Sequence, residues 1–267
     1  ETSDRFDDVA VEEPLEIRVR TGSSSDGDAR SLAITMRTPG NDFELAAGFL
    51  HAEGLLADRT CLSSIKYCMD RDVDGEQLYN IVTVDLTAAG DADAHIHRLE
   101  RHFVTTSACG VCGRASLDAL SERGLAPVRS ELTVSRTVLS RLPDDLRSAQ
   151  RVFAGTGGLH AAGLFDGNGG LLCAREDVGR HNAVDKVVGW ALLEDRLPLA
   201  ESVLLVSGRA SYEILQKALA AGMPVVAAVS APSSLAVDVA TRYGLTLVGF
   251  LRGGRFNVYA GGSRIVG

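Results

Sequence analysis

Two thiols three positions apart, Cys109 and Cys112, stand in the run Thr105-Thr106-Ser107-Ala108-Cys109-Gly110-Val111-Cys112-Gly113-Arg114. A helical pattern follows from Ala115 to Leu120, with Gly124 to stop it. A thiol just ahead of a helix meets backbone N–H groups and the positive end of the helix dipole. With Arg114 close by, these favour the thiolate, the nucleophilic form. Such a pair can shuttle electrons, bind a metal, or carry sulfur as a persulfide. Its polar flanks and paired glycines suit an exposed loop able to reach a partner and make a poor core, although free cysteines are often small buried residues. A structural zinc would need two further ligands, and Cys61 and Cys68 do not form a second close pair. A thioredoxin-like site would want a strand directly before the pair, where Arg101 to Thr106 is only a weak one.

His51-Ala52-Glu53, taken with Cys109 and Cys112, imitates the zinc nucleoside deaminase pattern, in which a His and two Cys hold zinc and a Glu moves the proton. Two features count against it: Ala108 replaces the proline of that pattern, and His51 falls near the end of a separate helix, on whose polar side it is expected to be solvated.

Three glycine-rich turns form a second group. These are Gly155-Thr156-Gly157-Gly158-Leu159-His160, then Ser207-Gly208-Arg209 after one apolar run, and Arg252-Gly253-Gly254-Arg255 after the last. In an open α/β sheet, ligands sit at the carboxyl ends of strands, where such loops offer N–H groups to phosphates. Arg209, Arg252 and Arg255 would add local charge. A third group, Glu176-Asp177-Val178-Gly179-Arg180-His181-Asn182-Ala183-Val184-Asp185-Lys186, opens a helix. Arg180, His181 and Asn182 in its first turn face the expected anion, while Asp177 is read as a cap and Asp185 as the partner of a base one turn away.

The elements that must position these groups follow from hydrophobic period. Leu15 to Arg20, Leu32 to Arg37 and Tyr79 to Leu86 alternate as strands, with Gly22 to Asp28 as a polar hairpin loop. Thr38-Pro39-Gly40-Asn41-Asp42 turns into one amphipathic helix carrying Phe43, Ala46, Ala47 and Leu50, ended by Gly54 and packed on that small sheet. Thr87 to His102 lacks periodicity, so a junction is placed near it, dividing a small mixed α+β domain, 1–107, from an α/β domain, 108–267. In the latter, Ala161 to Phe165 and Leu171 to Arg175 flank a turn as a hairpin, and helix His181 to Leu193 follows. Runs Val203 to Val206, Val225 to Val229 and Leu245 to Leu251 alternate with helices Ser211 to Ala221 and Ser233 to Tyr243, which implies a parallel sheet.

Composition bounds the partners. Of 267 residues, 27 are Lys or Arg and 35 Asp or Glu, a formal charge of −8, which argues against broad binding of nucleic acid. Any anionic ligand must be met by a few local arginines. Five cysteines, an odd and sparse count, favour a reducing cytoplasm, and no apolar stretch is long enough for a membrane span. The acidic first residues do not read as a signal peptide.

At these motifs the sequence resembles the formate dehydrogenase accessory sulfurtransferase family, FdhD. The resemblance runs in order through Met36-Arg37-Thr38-Pro39-Gly40, Glu44 to Leu50, the Cys109 loop, Phe153 to His160, Glu176 to Ala183, Ser207-Gly208-Arg209 and Phe256-Asn257. It implies a larger domain similar to the cytidine deaminase fold but not used for zinc chemistry. It also implies a sulfur carrier that takes sulfur from a cysteine desulfurase and delivers it to a molybdenum or tungsten bis(pterin guanine dinucleotide) cofactor, bound as substrate, for a formate dehydrogenase apoenzyme. By position, Cys109 matches the persulfide carrier, Cys112 its partner, and Phe250, Leu251, Arg252, Gly253, Gly254 and Arg255 the segment assigned to cofactor binding. Ser107-Ala108 stands where the family usually has two serines. Gly157, Gly158, His160, Arg180, Ser207, Gly208 and Arg209 are expected to hold the nucleotide phosphates, and a homodimer would suit a ligand with two nucleotide halves. A zinc deaminase-like enzyme and a chaperone that holds cofactor without moving sulfur are the alternatives.

Overall fold

The computed structural model describes residues 6–22, 29–68, 77, 79–87 and 113–267. Within them lie two main sheets. The smaller has four strands: β1 (Glu13–Thr21), β2 (Arg30–Arg37), β3 (Leu62–Tyr67) and β4 (Ile81–Leu86). Their order is β2-β1-β4-β3, with β1 and β4 parallel and the outer pairs antiparallel. Alternation in β1 buries Leu15, Ile17 and Val19 under helix α1 (Asp42–Ala52).

α1 does more than cover this sheet. Helix α5 (Arg180–Leu193) crosses its other side, with Gly48 set against the Asp185 backbone and Gly189 against that of Glu44. With no Cβ at the crossing, the two backbones touch. α1 is therefore buried on two faces, and His51 is buried too, at 8% exposure. Its Nδ1 lies 2.7 Å from Leu56 O and its Nε2 3.1 Å from Ala220 O, which corrects the expectation of a solvated histidine.

The larger sheet is built around the expected parallel core. Hairpin β6 (His160–Asp166) and β7 (Leu171–Asp177) leads through α5 to β8 (Ser202–Val206), α6 (Tyr212–Ala220), β9 (Val225–Ala228), α7 (Ser234–Tyr243) and β10 (Thr246–Arg252). The order is β11-β10-β9-β8-β6-β7, with β8, β9 and β10 parallel. Strand β11 (Arg255–Ala260) was not expected: it returns antiparallel to β10, so Arg252-Gly253-Gly254-Arg255 is a hairpin turn rather than a free strand end. Gly253 and Gly254 both take positive φ, 57° and 72°, the demand of a primed two-residue turn, which gives these glycines a structural reason.

Each strand of this sheet splits its residues between two cores. Val203 and Leu205 of β8 face α3 (Arg136–Ala149), whose Leu139, Leu142 and Leu146 cover one side; Leu204 and Val206 face α5, α6 and α7 on the other. α2 (Gly113–Glu122) begins at the residue after Cys112 and packs by Leu120 onto that second side. α3 leads to the short α4 (Arg151–Thr156) and thence to β6. A last small pair joins β5 (Val134–Ser135) to β12 (Ile265–Val266).

Candidate functional site

The helix-opening segment from Glu176 to Lys186 divides its polar residues between scaffold and site. Glu176 accepts hydrogen bonds from the backbone N–H groups of Val152 and Phe153, at 3.0 and 2.8 Å, and so fixes the start of α4. Asp177 is fully buried and pairs with Lys186, Nζ to Oδ2 at 2.7 Å. Its oxygens also accept from Thr38 N, Gly179 N and Asn182 Nδ2, while Lys186 donates to Thr38 O. Asn182 reaches Met36 O at 2.8 Å. The turn at Met36 to Gly40 is thus clasped to the start of α5, and Asp177 ties two motifs together rather than merely capping a helix. Asp185 pairs with Lys217 of α6, at 2.7 Å, not with a base on its own helix. Burial pushes its carboxyl up to about 6, outweighing the opposite pull of Lys217.

What remains of the segment faces outward. Arg180 lies beside Gly208 and His160: a Cβ on Gly208 would sit 3.3 Å from His160 Nδ1 and 3.6 Å from Arg180 Cδ. The Nε of Arg180 is buried and has no hydrogen-bond partner among the described residues. Burial holds the His160 imidazole below its ordinary pKa, and the charges of Arg180, His181 and Arg209 push the same way against a weaker pull from Asp177. His181 meets Glu213 of α6, Nε2 to Oε2 at 2.7 Å, and that hydrogen bond holds the Glu213 carboxyl low. Ser207 is tied to β6 in both directions, its N–H to Ala161 O and its Oγ accepting from Ala161 N, each at 2.9 Å. The charges of Arg180 and Arg209 therefore gather, beside the His160 ring, at the carboxyl ends of β7 and β8, where an anion would complete them.

Neighbouring loops continue that edge. Ser230, after β9, donates to Gly208 O, and its own carbonyl accepts from Phe250 N. Phe250 has φ 54°, a left-handed conformation that is strained for a bulky residue, at an irregularity in the β10–β11 pairing. Its ring is partly exposed. With Arg252, Gly253, Arg255, Phe256 and Asn257 it lines a cavity of about 340 Å³. Leu251 points the other way, its side chain wholly inside the core, which leaves it only backbone atoms to offer a ligand. Gly157, Gly158, His160 and Ser207 line a different cavity of about 490 Å³, walled by α3 and α4. Phe250, Arg252, Gly253 and Arg255 thus line one pocket and Gly157, Gly158, His160 and Ser207 another, with Arg180 and Gly208 beside His160; Leu251 and Gly254 line neither.

A family model described as FdhD/NarQ family matches residues 10–266. The chain belongs to that family. It is 57% identical over 265 residues to the sulfur carrier protein FdhD of Streptomyces coelicolor, covering 98% of this chain and 90% of that protein. It is 53% identical to the Mycobacterium tuberculosis protein of the same name, over 98% and 92% of the two chains. A crystal structure described as a formate dehydrogenase accessory protein from Desulfotalea psychrophila superposes with a TM-score of 0.72 at 26% identity, covering 97% and 90%.

The chain has five cysteines. Cys109 and Cys112 lie outside the described residues. Cys61 and Cys68 are half-buried and free, while Cys173 is buried, which pushes its thiol up to about 12 and leaves it inert at neutral pH. Both ring nitrogens of His51 lie against carbonyls, and Glu53 lies 3.7 Å from Arg123, so the deaminase-like His51-Ala52-Glu53 is used in packing helices together. Asp144, Arg147 and Gln150, which wall the larger of these two cavities beside Phe153, were not singled out from the sequence; their helical spacing was the signal available.

Proposed function

We propose that this chain is a sulfur carrier that moves sulfur from a cysteine desulfurase to a bis(pterin guanine dinucleotide) cofactor of molybdenum or tungsten, for use by a formate dehydrogenase. The sulfur half rests on the 57% identity to a protein named as a sulfur carrier. The cofactor half is supported by the cationic corner around Arg180, where a buried guanidinium N–H has no partner among the described residues. In the first step the Cys109 thiolate attacks the outer sulfur of the desulfurase persulfide. A new S–S bond forms at Cys109 as the old one breaks, and the desulfurase cysteine leaves as thiolate. The outer sulfur would then pass to the metal of the cofactor, which is substrate here; the S–S bond breaks, Cys109 leaves as thiolate, and the two electrons that turn this sulfur into sulfide would come from the reduced metal. Alternatively, Cys112 attacks Cys109 Sγ and expels the outer sulfur as hydrosulfide; the two thiols are oxidised to a disulfide, which a cellular dithiol must reduce again.

The remaining expectations belong to the same reading. The backbone N–H groups of the Gly157 and Gly208 turns, with Arg180, Arg209, Arg252 and Arg255, would hold the cofactor's phosphates. A homodimer in the cytoplasm would match two nucleotides to two copies of the site. The division into 1–107 and 108–267 is supported by the small sheet ending at Leu86 and the large one beginning at His160. Kinship of the larger part with the cytidine deaminase fold is supported by a hairpin followed by three parallel strands.

The test is to incubate the protein with a cysteine desulfurase and cysteine, trap persulfides, and locate them by mass spectrometry. One added sulfur on Cys109 is expected, lost in Cys109→Ala. An adduct that persists in that variant overturns the carrier assignment. Unimpaired formate dehydrogenase maturation with Cys109→Ala would instead favour the chaperone.

A further inference from the structure

The chain ahead of β1, residues 6–12, carries Asp7, Asp8 and Glu12 and no cation. It is anchored where β1 begins. Glu13 reaches the buried Arg37 guanidinium, Oε2 to Nη1 at 3.2 Å, and Asp42 pairs with the same guanidinium at 2.9 Å. Three residues before that anchor the arm comes to rest on Gly158. A Cβ built on this glycine would stand 3.5 Å from the Ala10 methyl, an ordinary van der Waals distance. Ala10 is half-buried, while the other residues from Phe6 to Glu12 are exposed. The arm is therefore seated lightly, and its seat is a rim: Gly158 lines the cavity of about 490 Å³ that also holds Arg147, His160 and Ser207. None of residues 6–12 lines that cavity, so in this structure it stands open with the arm at its edge.

We propose that residues 6–12 are an autoinhibitory strap, which pivots at Ala10 to bring the Asp8 carboxylate to the cationic groups of this cavity and so competes with the anion that belongs there. This rests on the anion site proposed above. Chain direction decides which carboxylate is delivered. In an extended chain, side chains two apart share a side and neighbours point opposite ways. Carried back from β1 in that form, Asp8 shares the side of Ala10, which meets Gly158, and Asp7 faces away. Asp8 lies at most about 7 Å along the chain from Ala10. Arg147 lines the cavity, and Arg180, whose Nε has no partner among the described residues, lies beside its His160. A carboxylate accepts from a guanidinium in the same forked way as a phosphate does. Because a short tether holds it at an effective concentration in the millimolar range, even a weak seat is occupied much of the time. A diphosphate brings more oxygens to the same donors and displaces it. An arm closed in about four molecules of five leaves one in five competent, which weakens the apparent affinity for an anion about 5-fold.

Calorimetric titration of the full chain with inorganic pyrophosphate and with guanosine diphosphate tests this. Asp8→Asn should tighten both by about 5-fold, since it removes the competing carboxylate. Asp7→Asn removes the same charge from the same arm, but on the side turned away, and should leave both affinities nearly unchanged. Both residues are exposed, so neither substitution disturbs the fold. Equal tightening by the two variants would reduce the effect to net charge and overturn the strap. Unchanged affinity in Asp8→Asn also overturns it, while binding itself keeps the anion site standing. If neither ligand binds the parent or Asp8→Asn, the anion site is lost and the strap with it.

Discussion

Replacing Gly189 by Ala should unfold the protein more easily even though it improves the helix. On propensity alone the change favours α5 by about 1 kcal/mol. The opposing term is geometric. A Cβ on Gly189 would stand 2.6 Å from the Glu44 carbonyl carbon and 2.8 Å from Gly48 N, and closer still to Glu44 O. Carbon atoms rest about 3.5–4.0 Å apart, so α1 and α5 must part by roughly 1 Å. What the methyl meets is backbone, with no side chain free to swing aside, so the cost falls at the upper end of overpacking, about 3 kcal/mol. The difference is a net loss of about 2 kcal/mol, or roughly 4–8 °C in Tm for a chain of this size. The only tryptophan, Trp190, adjoins the crossing, and its fluorescence during urea denaturation reports the loss. Gly155→Ala is the control, because nothing lies within 4 Å of its added Cβ and α4 should tolerate or welcome it. If Gly189→Ala matches or exceeds the parent in stability, the two helices do not cross on bare backbone and the argument fails.

Lys186→Met should cost about 3–5 kcal/mol, because it leaves the Asp177 carboxylate buried without its cation; a loss under about 1 kcal/mol in chemical denaturation would show that the pair is not held as described. His160 should titrate below the ordinary histidine value of 6.5 in the free protein and move up when guanosine diphosphate or pyrophosphate binds, as followed by NMR of its ring protons. The sign for stability follows: the fold resists the proton that the unfolded chain accepts, so this residue's contribution is fully present above pH 6.5 and is lost as pH falls from there through the lower folded-state pKa. A free-state midpoint at or above 6.5 would contradict the crowding by Arg180, His181 and Arg209. Cys173 should stay unmodified by iodoacetamide at pH 8 in the native protein and react only on unfolding, and mass spectrometry locates the label.

Much of the larger sheet was legible because fully buried parallel strands read as unbroken apolar runs, as in Val203 to Val206 and Val225 to Ala228. Helices α6 and α7 carried clear one-sided patterns between them. Helix α3 was missed: Pro143 stands inside it and charged residues surround its three buried leucines. Strand β11 was missed because it is an edge strand whose side chains are mostly exposed, so it carries little apolar signal. His51 was misjudged for a related reason. Its own helix predicts a polar face, but Leu56 and Ala220, which bury it, come from a loop and from the end of α6.

The residue types and their spacing in the sequence determined the kind of chemistry: a pair of thiols before a helix, glycine turns, and a few arginines in an acidic chain. They could do so because side-chain reactivity and turn geometry are local. Only the tertiary structure decided which members of each motif face a ligand. Asp177, Asn182, Asp185 and Lys186 are spent on holding the start of α5, while Arg180, two strands after His160 begins and one strand before Gly208, lies beside both with an Nε–H that has no partner among the described residues. Whether a charge is satisfied depends on groups brought from distant parts of the chain, and that is information no spacing along the sequence contains.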